Sequence, residues 1–176
     1  SDLEGDSIHW LFQPTSPTNS YAAPYTMLPF GPNTLGVVSC DGVMLFDINK
    51  LTVDTLIKER GYCFRSLWKY KDYIFIGSYG KGYYIWKNGK LKSMPLDKSN
   101  FLLYTHCFVP DELGFCWMST NRGLFKAQLS DLIDAYENDR AQVYYHYYGK
   151  NDGMDIAEMN GGCSPCALQM KNGALS

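Results

Sequence analysis

The chain has 176 residues, with 16 Lys and Arg against 18 Asp and Glu, so its formal net charge at pH 7 is −2. Binding to nucleic acid through many phosphates needs an excess of basic residues, so this charge balance excludes that class of partner. No stretch approaches the ~18 apolar residues of a membrane-spanning helix, and no membrane contact is expected of this segment. Aromatic residues make up 15% of the chain, including 14 Tyr, which favours β-strands.

The chain begins with residues rich in Pro, Ser and Asn, such as the stretch QPTSPTNSYAAPYTMLPFGPN. This composition is typical of loops. We therefore interpret residues 1–34 as an irregular N-terminal connection or an incomplete first member of the repeat described next.

Three later stretches share one pattern: LGVVSCDGVMLFD, YIFIGSYGKGYYIW and FCWMSTNRGLF. Each has an apolar run, a small residue, a short polar turn with Gly, and a second apolar run. Their centres, Cys40, Ser78 and Thr120, are 38 and 42 residues apart, close to the ~40-residue period of a four-stranded propeller blade. The predicted fold is all-β: a β-propeller segment of about four four-stranded antiparallel blades in residues 35–176, with the last blade cut short at residue 176.

The middle strand of each repeat alternates large and small residues, as expected where both faces of a sheet are covered. Phe75 and Trp117 would fill the space between blades, and small residues such as Gly77 would let the adjacent sheet approach. Gly82 and Gly123 begin the return strands. We expect a positive φ there, because only Gly adopts it cheaply in a tight turn.

The segment after the third copy, LSDLIDAYEND, departs from the repeat. Its apolar residues recur at helical spacing, and Ser130 is a candidate N-cap. The pattern predicts a short helical insertion near residues 130–137, between outer strands.

The six cysteines are too few for a disulfide-stapled mini-domain. Cys163 and Cys166 form a C-x-x-C pair, for which structural thiols, a local disulfide, and a metal or redox centre all stay open; a structural zinc site would need a second ligand pair. The other four lie in apolar or aromatic runs, where we expect small buried hydrophobes: Cys40, Cys63, Cys107 and Cys116.

The stretch WMSTNRGLF resembles the W-I-G-T-x-x-G-L repeat of the two-component regulator propeller family. Residues 146–176 resemble that family's last-blade pattern, with the D-G-L, N-G-G and D-G-x-L elements at 152–154, 160–162 and 172–175. The resemblance covers about residues 35–176. It implies a piece of a longer chain: the periplasmic sensor region of a hybrid histidine kinase of the Bacteroidetes type, membrane-anchored in the parent, with many relatives responding to polysaccharide breakdown products.

Catalytic signatures are missing from the sequence. His9, His106 and His146 lack metal-ligand spacing, and neither G-x-S-x-G nor a phosphate loop occurs. No catalytic residue, metal ligand or cofactor is predicted.

A ligand-binding surface is the better-supported kind of site. The presumed inner strands and the turns after the middle strands combine aromatic faces with amide and guanidinium donors, a combination suited to a sugar. The alternative for each residue is that it packs within or between blades. The candidates are Arg65, Trp68, Tyr79, Lys81, Tyr104, His106, Asn121 and Arg122.

The leading hypothesis is a ligand-sensing propeller segment whose partner is a small molecule or an oligosaccharide. The alternatives are a carbohydrate-active enzyme on a propeller scaffold and an interaction scaffold of the kelch or WD-repeat kind. An incomplete propeller exposes unpaired strand edges. We therefore expect either a missing remainder or association, as a homodimer or edge to edge.

Overall fold

The structure is a computed structural model that describes residues 24–59, 61–159, 161, 167 and 170. These residues form three four-stranded antiparallel sheets. Sheet 1 contains β1 (Thr26–Gly31), β2 (Thr34–Ser39), β3 (Gly42–Asp47) and β4 (Thr52–Lys58). Sheet 2 contains β5 (Phe64–Tyr70), β6 (Tyr73–Ser78), β7 (Tyr83–Lys87) and β8 (Lys90–Ser93). Sheet 3 contains β9 (Cys107–Pro110), β10 (Phe115–Thr120), β11 (Gly123–Gln128) and β12 (His146–Tyr148).

Each sheet is a meander in which strands pair in chain order. Helix α1 (Leu129–Glu137) is inserted between β11 and β12, and short 3-10 turns occupy Phe101–Leu103 and Lys150–Asp152. The predicted propeller segment of four-stranded blades with a helical insertion is confirmed. The truncated last blade falls mostly outside the described residues, as do His9, Cys163 and Cys166.

The repeated small residue closes the turn between the second and third strands of a sheet. Ser78 Oγ donates a hydrogen bond to the carbonyl of Gly82 at 2.7 Å, and Thr120 Oγ1 donates to that of Gly123 at 2.9 Å. Both glycines have the expected positive φ, +85° and +139°. The hydroxyl and the glycine are therefore a matched pair in both repeats.

In the first repeat, the residue in this position is Ser39, one place before Cys40. Ser39 pairs with Gly42 across the β2–β3 ladder, just as Thr120 pairs with Gly123. Strand β1 lies within residues 1–34 and forms the edge of sheet 1.

Sheet 2 is the centre of the molecule because both of its faces are covered. All six residues of β6 are buried. One face packs on sheet 1 through a cluster of Val38, Val43, Ile57, Phe64, Leu67, Ile74, Ile76 and Tyr84. The other face packs on sheet 3 and α1 through a larger cluster that includes Phe75, Tyr83, Phe108, Met118, Phe125 and Leu132.

Helix α1 closes the outer part of this larger cluster. Its Leu132 and Tyr136 are buried, and Tyr136 Oη donates a hydrogen bond to the Lys90 carbonyl at 2.8 Å. The N-cap is Gln128, so the assignment of Ser130 as the cap is wrong: the helix starts at Leu129, directly from the end of β11. Neither α1 nor any other helix in the described ranges is long and apolar enough to cross a membrane.

The four cysteines that the structure describes divide into two pairs. Cys40 and Cys63 form a disulfide that joins sheet 1 to the loop entering sheet 2, so the prediction that these two are simple buried hydrophobes is wrong. The pairing links two different repeats and has no local sequence signal. Cys107 and Cys116 are buried thiols, as expected, and burial raises the pKa of Cys116.

Candidate functional site

A cavity of about 470 Å³ lies at one end of sheets 2 and 3, within the ~300–1,000 Å³ typical of ligand sites. It lies where β5 and β9 begin and where β6 and β10 end, and the chain after β12 covers it. Four of the eight predicted residues are brought together there, along with four that were not predicted. The lining residues are Arg65, Tyr79, His106, Asn121, Ile156, Glu158, Met159 and Gly161.

Arg65, the second residue of β5, is held between two aromatic rings. Its Cζ is 4.2 Å from the ring centroid of Tyr25 and 4.8 Å from that of Tyr79, distances at which the cation is attracted to the ring faces. Its Nε is buried and has no hydrogen-bond partner among the described residues. A buried donor without an acceptor is costly, so the Arg65 guanidinium has hydrogen-bonding capacity that the described residues do not use.

His106 and Asn121 form the opposite part of the lining. His106 is 4% exposed, and its Nε2–H donates to Asn121 Oδ1 at 2.5 Å. Burial lowers the pKa of His106; the Asn121 hydrogen bond opposes this, the positive charge of Arg65 adds to it, and the negative charge of Glu158 opposes it. The neutral form of the imidazole is therefore favoured, and Arg65 is the fixed cation of the cavity.

The segment after β12 completes the cavity by returning across sheet 3. The backbone N–H of Met159 donates to the carbonyl of Thr120 at 3.1 Å, at the end of β10. Gly161 lies against the His106 ring so closely that a Cβ there would overlap it. Sequence reasoning missed this segment. Its only signal was the N-G-G element of the last-blade pattern, which includes Gly161.

A second groove of about 510 Å³ adjoins the first and shares Asn121, Ile156 and Glu158 with it. Predicted residue Arg122 lies here, with Lys150 and Asp155. The groove thus combines two cations with two carboxylates. Within the described residues, no group of three or more His, Cys, Asp or Glu side chains could hold a metal ion.

The remaining predicted residues have other positions. Tyr104 lies at the border of the first cavity, where it bridges to Tyr79 and their rings meet edge-on at 4.9 Å. Trp68 packs against Phe75, with ring centroids 4.8 Å apart, in the core between sheets 2 and 3. Lys81 is exposed in the β6–β7 turn. Neither Trp68 nor Lys81 lines the two cavities.

The disulfide lies beside the first cavity. The backbone N–H of Tyr79 donates to the carbonyl of Cys63 at 3.2 Å, and Arg65 follows Cys63 by two residues. The covalent link between sheets 1 and 2 therefore holds the segment that carries Arg65 next to the turn that carries Tyr79.

Comparison with known proteins gives structural matches only. No protein-family model matches the chain, and no curated protein matches at the threshold applied. The extracellular domain described as that of the hybrid two-component system BT4673 from B. thetaiotaomicron matches with a TM-score of 0.65 at 9% identity, over 89% of this chain and 19% of that one. The corresponding domain of BT3049 matches at 0.61 and 13%, over 86% and 20%.

The chain thus spans about a fifth of the length of these two neighbours. It is also similar to the computationally designed Ika4 protein, with a TM-score of 0.53 at 12% identity, over 88% of this chain and 89% of that one. The chain has the fold of a segment of these extracellular domains. The predicted resemblance is confirmed at the level of the fold.

Proposed function

We propose that this chain is a ligand-sensing segment of a periplasmic propeller in a two-component sensor, and that its ligand is a carbohydrate breakdown product. The observation that carries the proposal is the convergence of Arg65, Tyr79, His106 and Asn121, from two different repeats, on one cavity. The fold shared with extracellular sensor domains supports it. The Cys40–Cys63 disulfide supports the location, because disulfides persist in oxidising compartments.

The chemistry of the lining fits a sugar better than an apolar ligand. Tyr79 is 48% exposed and offers a ring for stacking. Arg65 and Asn121 supply directional donors next to it. A few fixed polar groups around an aromatic face are the usual means of orienting a small polar ligand.

Signalling would come from the way the cavity is assembled. Its walls come from sheet 2, sheet 3 and the segment around Met159, so a ligand touching all three would favour the arrangement in which that segment is docked. Ligand binding shifts a conformational equilibrium only by its differential affinity for the two states. The docked segment is the element that we propose responds to occupancy, and the parent chain would carry the kinase.

A thermal-shift screen over plant and host glycan fragments tests the proposal. We expect at least one oligosaccharide to raise Tm, since a ligand at ~100 times its Kd stabilises by about 2.7 kcal/mol. Tyr79→Ala should abolish the shift. Tyr144→Ala, at a 76% exposed Tyr outside both cavities, is the matched control and should keep it. A broad panel without any shift would contradict the proposal.

A carbohydrate-active enzyme is a second candidate, because Asp155 and Glu158 line one groove, and paired carboxylates perform glycoside hydrolysis. An assay for newly released reducing ends would decide. Turnover abolished by Asp155→Asn and by Glu158→Gln would favour the enzyme. Binding without turnover would favour the sensor.

Association as a homodimer or edge to edge, through open sheet edges, is proposed as well. Met27, on β1, is 59% exposed, and an exposed apolar strand at a sheet edge promotes pairing. Light scattering coupled to size exclusion should show a dimer or larger species. A monomer at all concentrations would contradict association.

A further inference from the structure

We propose that the ligand of the first cavity carries a carboxylate group, and that Arg65 binds it. This inference rests on the proposed function and narrows it from a sugar to an acidic sugar or an acidic sugar fragment. Its basis is the guanidinium of Arg65, which lies between two aromatic rings and forms no ion pair with any residue that the structure describes.

Arg65 has unused hydrogen-bonding capacity among the described residues. Its Nε is one of only two buried side-chain N or O atoms without a hydrogen-bond partner in the described part of the chain. None of the ion pairs found among the described residues involves Arg65. A planar guanidinium presents N–H donors in a fork that matches a carboxylate in two parallel hydrogen bonds.

The second step is preorganisation. Tyr25 and Tyr79 lie against the guanidinium within 5 Å, at 4.2 and 4.8 Å. The backbone beneath it is also fixed, because Thr26 Oγ1 donates to the Arg65 carbonyl at 2.8 Å. An arginine already held in place loses little freedom on binding, which increases affinity for a matching anion.

The third step concerns charge. Burial favours the neutral form of His106, and Glu158 is the only acidic residue among the described residues of the lining. Glu158 forms no ion pair with Arg65 in the structure, and it opposes an incoming carboxylate. A neutral sugar would leave the Arg65 charge uncompensated, whereas a uronic acid would compensate it. Arg65 and Glu158 should therefore change affinity for a carboxylate in opposite directions.

Calorimetric titration of the 176-residue chain with D-glucuronate, D-glucose and acetate tests the inference. Glucuronate should bind at least ~10-fold more tightly than glucose, the factor expected for a hydrogen bond to a charged group. Acetate distinguishes a site for any carboxylate from one that also needs the sugar ring. Arg65→Gln should remove the preference for glucuronate, and Glu158→Gln should strengthen glucuronate binding several-fold.

Arg140→Gln is the matched control for the change in net charge. Arg140 follows α1, is exposed, pairs with Asp134 of that helix, and lies outside both cavities. Its replacement should leave the affinities for glucuronate, glucose and acetate unchanged. Since Glu158→Gln is expected to gain affinity, a positive result cannot be due to misfolding. Equal affinity for glucuronate and glucose, or an unchanged preference in Arg65→Gln, would overturn the inference. If a neutral oligosaccharide binds while glucuronate does not, the inference fails and the proposed function stands; if neither binds, both fail.

Discussion

Sheets 2 and 3 are built from the same motif but differ in what covers them. In β6, YIFIGS, all six residues are buried, since sheet 1 packs on one face and sheet 3 on the other. In β10, FCWMST, Cys116 and Met118 are fully buried against sheet 2, whereas Phe115 and Trp117, on the opposite face, are only half-buried. The motif therefore fixes the direction of each side chain, and the neighbouring sheet decides how deeply it is buried.

The open face of sheet 3 is completed by polar partners. Trp117 Nε1 donates to Asp111 Oδ2 at 2.8 Å, and its ring stacks on Tyr148 with centroids 5.4 Å apart. Lys126 Nζ lies 4.8 Å from the same ring. The equivalent residue in sheet 2 is Phe75. Its aromatic neighbours are Trp68, with ring centroids 4.8 Å apart, and Phe108, with ring centroids 5.7 Å apart. Phe75 and Trp117 occupy the same position in the motif, but they should therefore contribute different amounts to the free energy of unfolding.

The largest expected effect is a loss in the free energy of unfolding when the ring at one of those two positions is removed. Phe75→Ala removes a fully buried ring and should cost about 3–5 kcal/mol of the free energy of unfolding. Trp117→Ala removes a larger but half-buried ring and should cost clearly less. Urea denaturation of both variants measures this. Equal losses would mean that the outer face of sheet 3 is covered as completely as sheet 2.

The disulfide makes the sheet 1–sheet 2 interface different from the contact of sheet 2 with sheet 3 and α1, which is held by packing, hydrogen bonds and ion pairs such as Lys87–Glu137. Replacing both Cys40 and Cys63 by Ser should cost about 3 kcal/mol, because closing the loop restricts the unfolded chain. Reducing agent should destabilise the wild type by a similar amount and leave the double variant unchanged. If reductant also lowers the stability of the double variant, a disulfide other than Cys40–Cys63 contributes to the free energy of unfolding.

The close approach of sheets 2 and 3 should be sensitive to Gly77. A Cβ at this residue would overlap Ser66 Oγ and the Thr105 carbonyl, and overpacking of this kind costs about 1–3 kcal/mol. Gly31→Ala is the matched control, because the nearest atoms to its added Cβ belong to Thr34, at 3.9 Å. We expect Gly77→Ala to lower the urea midpoint and Gly31→Ala to leave it nearly unchanged; the reverse order would contradict the packing described.

The smallest effect should be a pH dependence from His106. Its pKa in the folded state is lowered from 6.5 by burial, so the unfolded chain binds more protons as the pH falls below that value. The His106 contribution to stability is fully present above pH 6.5 and is lost as the pH falls through the lowered pKa. Urea unfolding between pH 7.5 and about 5 should show less pH dependence for His106→Asn than for the wild type.

His146→Asn, at an exposed histidine on β12, is the control for the same chemical change outside the cavity. Parallel slopes for all three proteins would mean that His106 does not titrate differently in the folded and unfolded chains.

The repeat was predictable because its signals are local. Period, small hydroxyl and glycine recur in each copy, and the hydrogen bonds of Ser78 and Thr120 to the following glycines give the physical reason. Alignment of the first copy on Cys40 is one residue late: two residues separate Ser39 from Gly42, the same number that separate Thr120 from Gly123. The hydroxyl of Ser39 is the equivalent atom.

The candidate site was only partly predictable because half of it depends on distant segments. Arg65, Tyr79, His106 and Asn121 could be found from their places beside strand ends. Trp68 lies on the same strand as Arg65, and only its packing against Phe75 shows that it belongs to the core. The return of residues 155–159 and 161 and the Cys40–Cys63 pairing depend on contacts between distant segments, which periodicity does not encode.

An experimental structure of the chain with a glycan found in the thermal-shift screen tests the central claim most directly. We expect the ligand to lie between Tyr79 and Asn121, with a polar group in contact with Arg65 and with Met159 beside it. A ligand bound elsewhere, such as in the groove between Phe101 and Tyr144, with the first cavity unchanged, would contradict it.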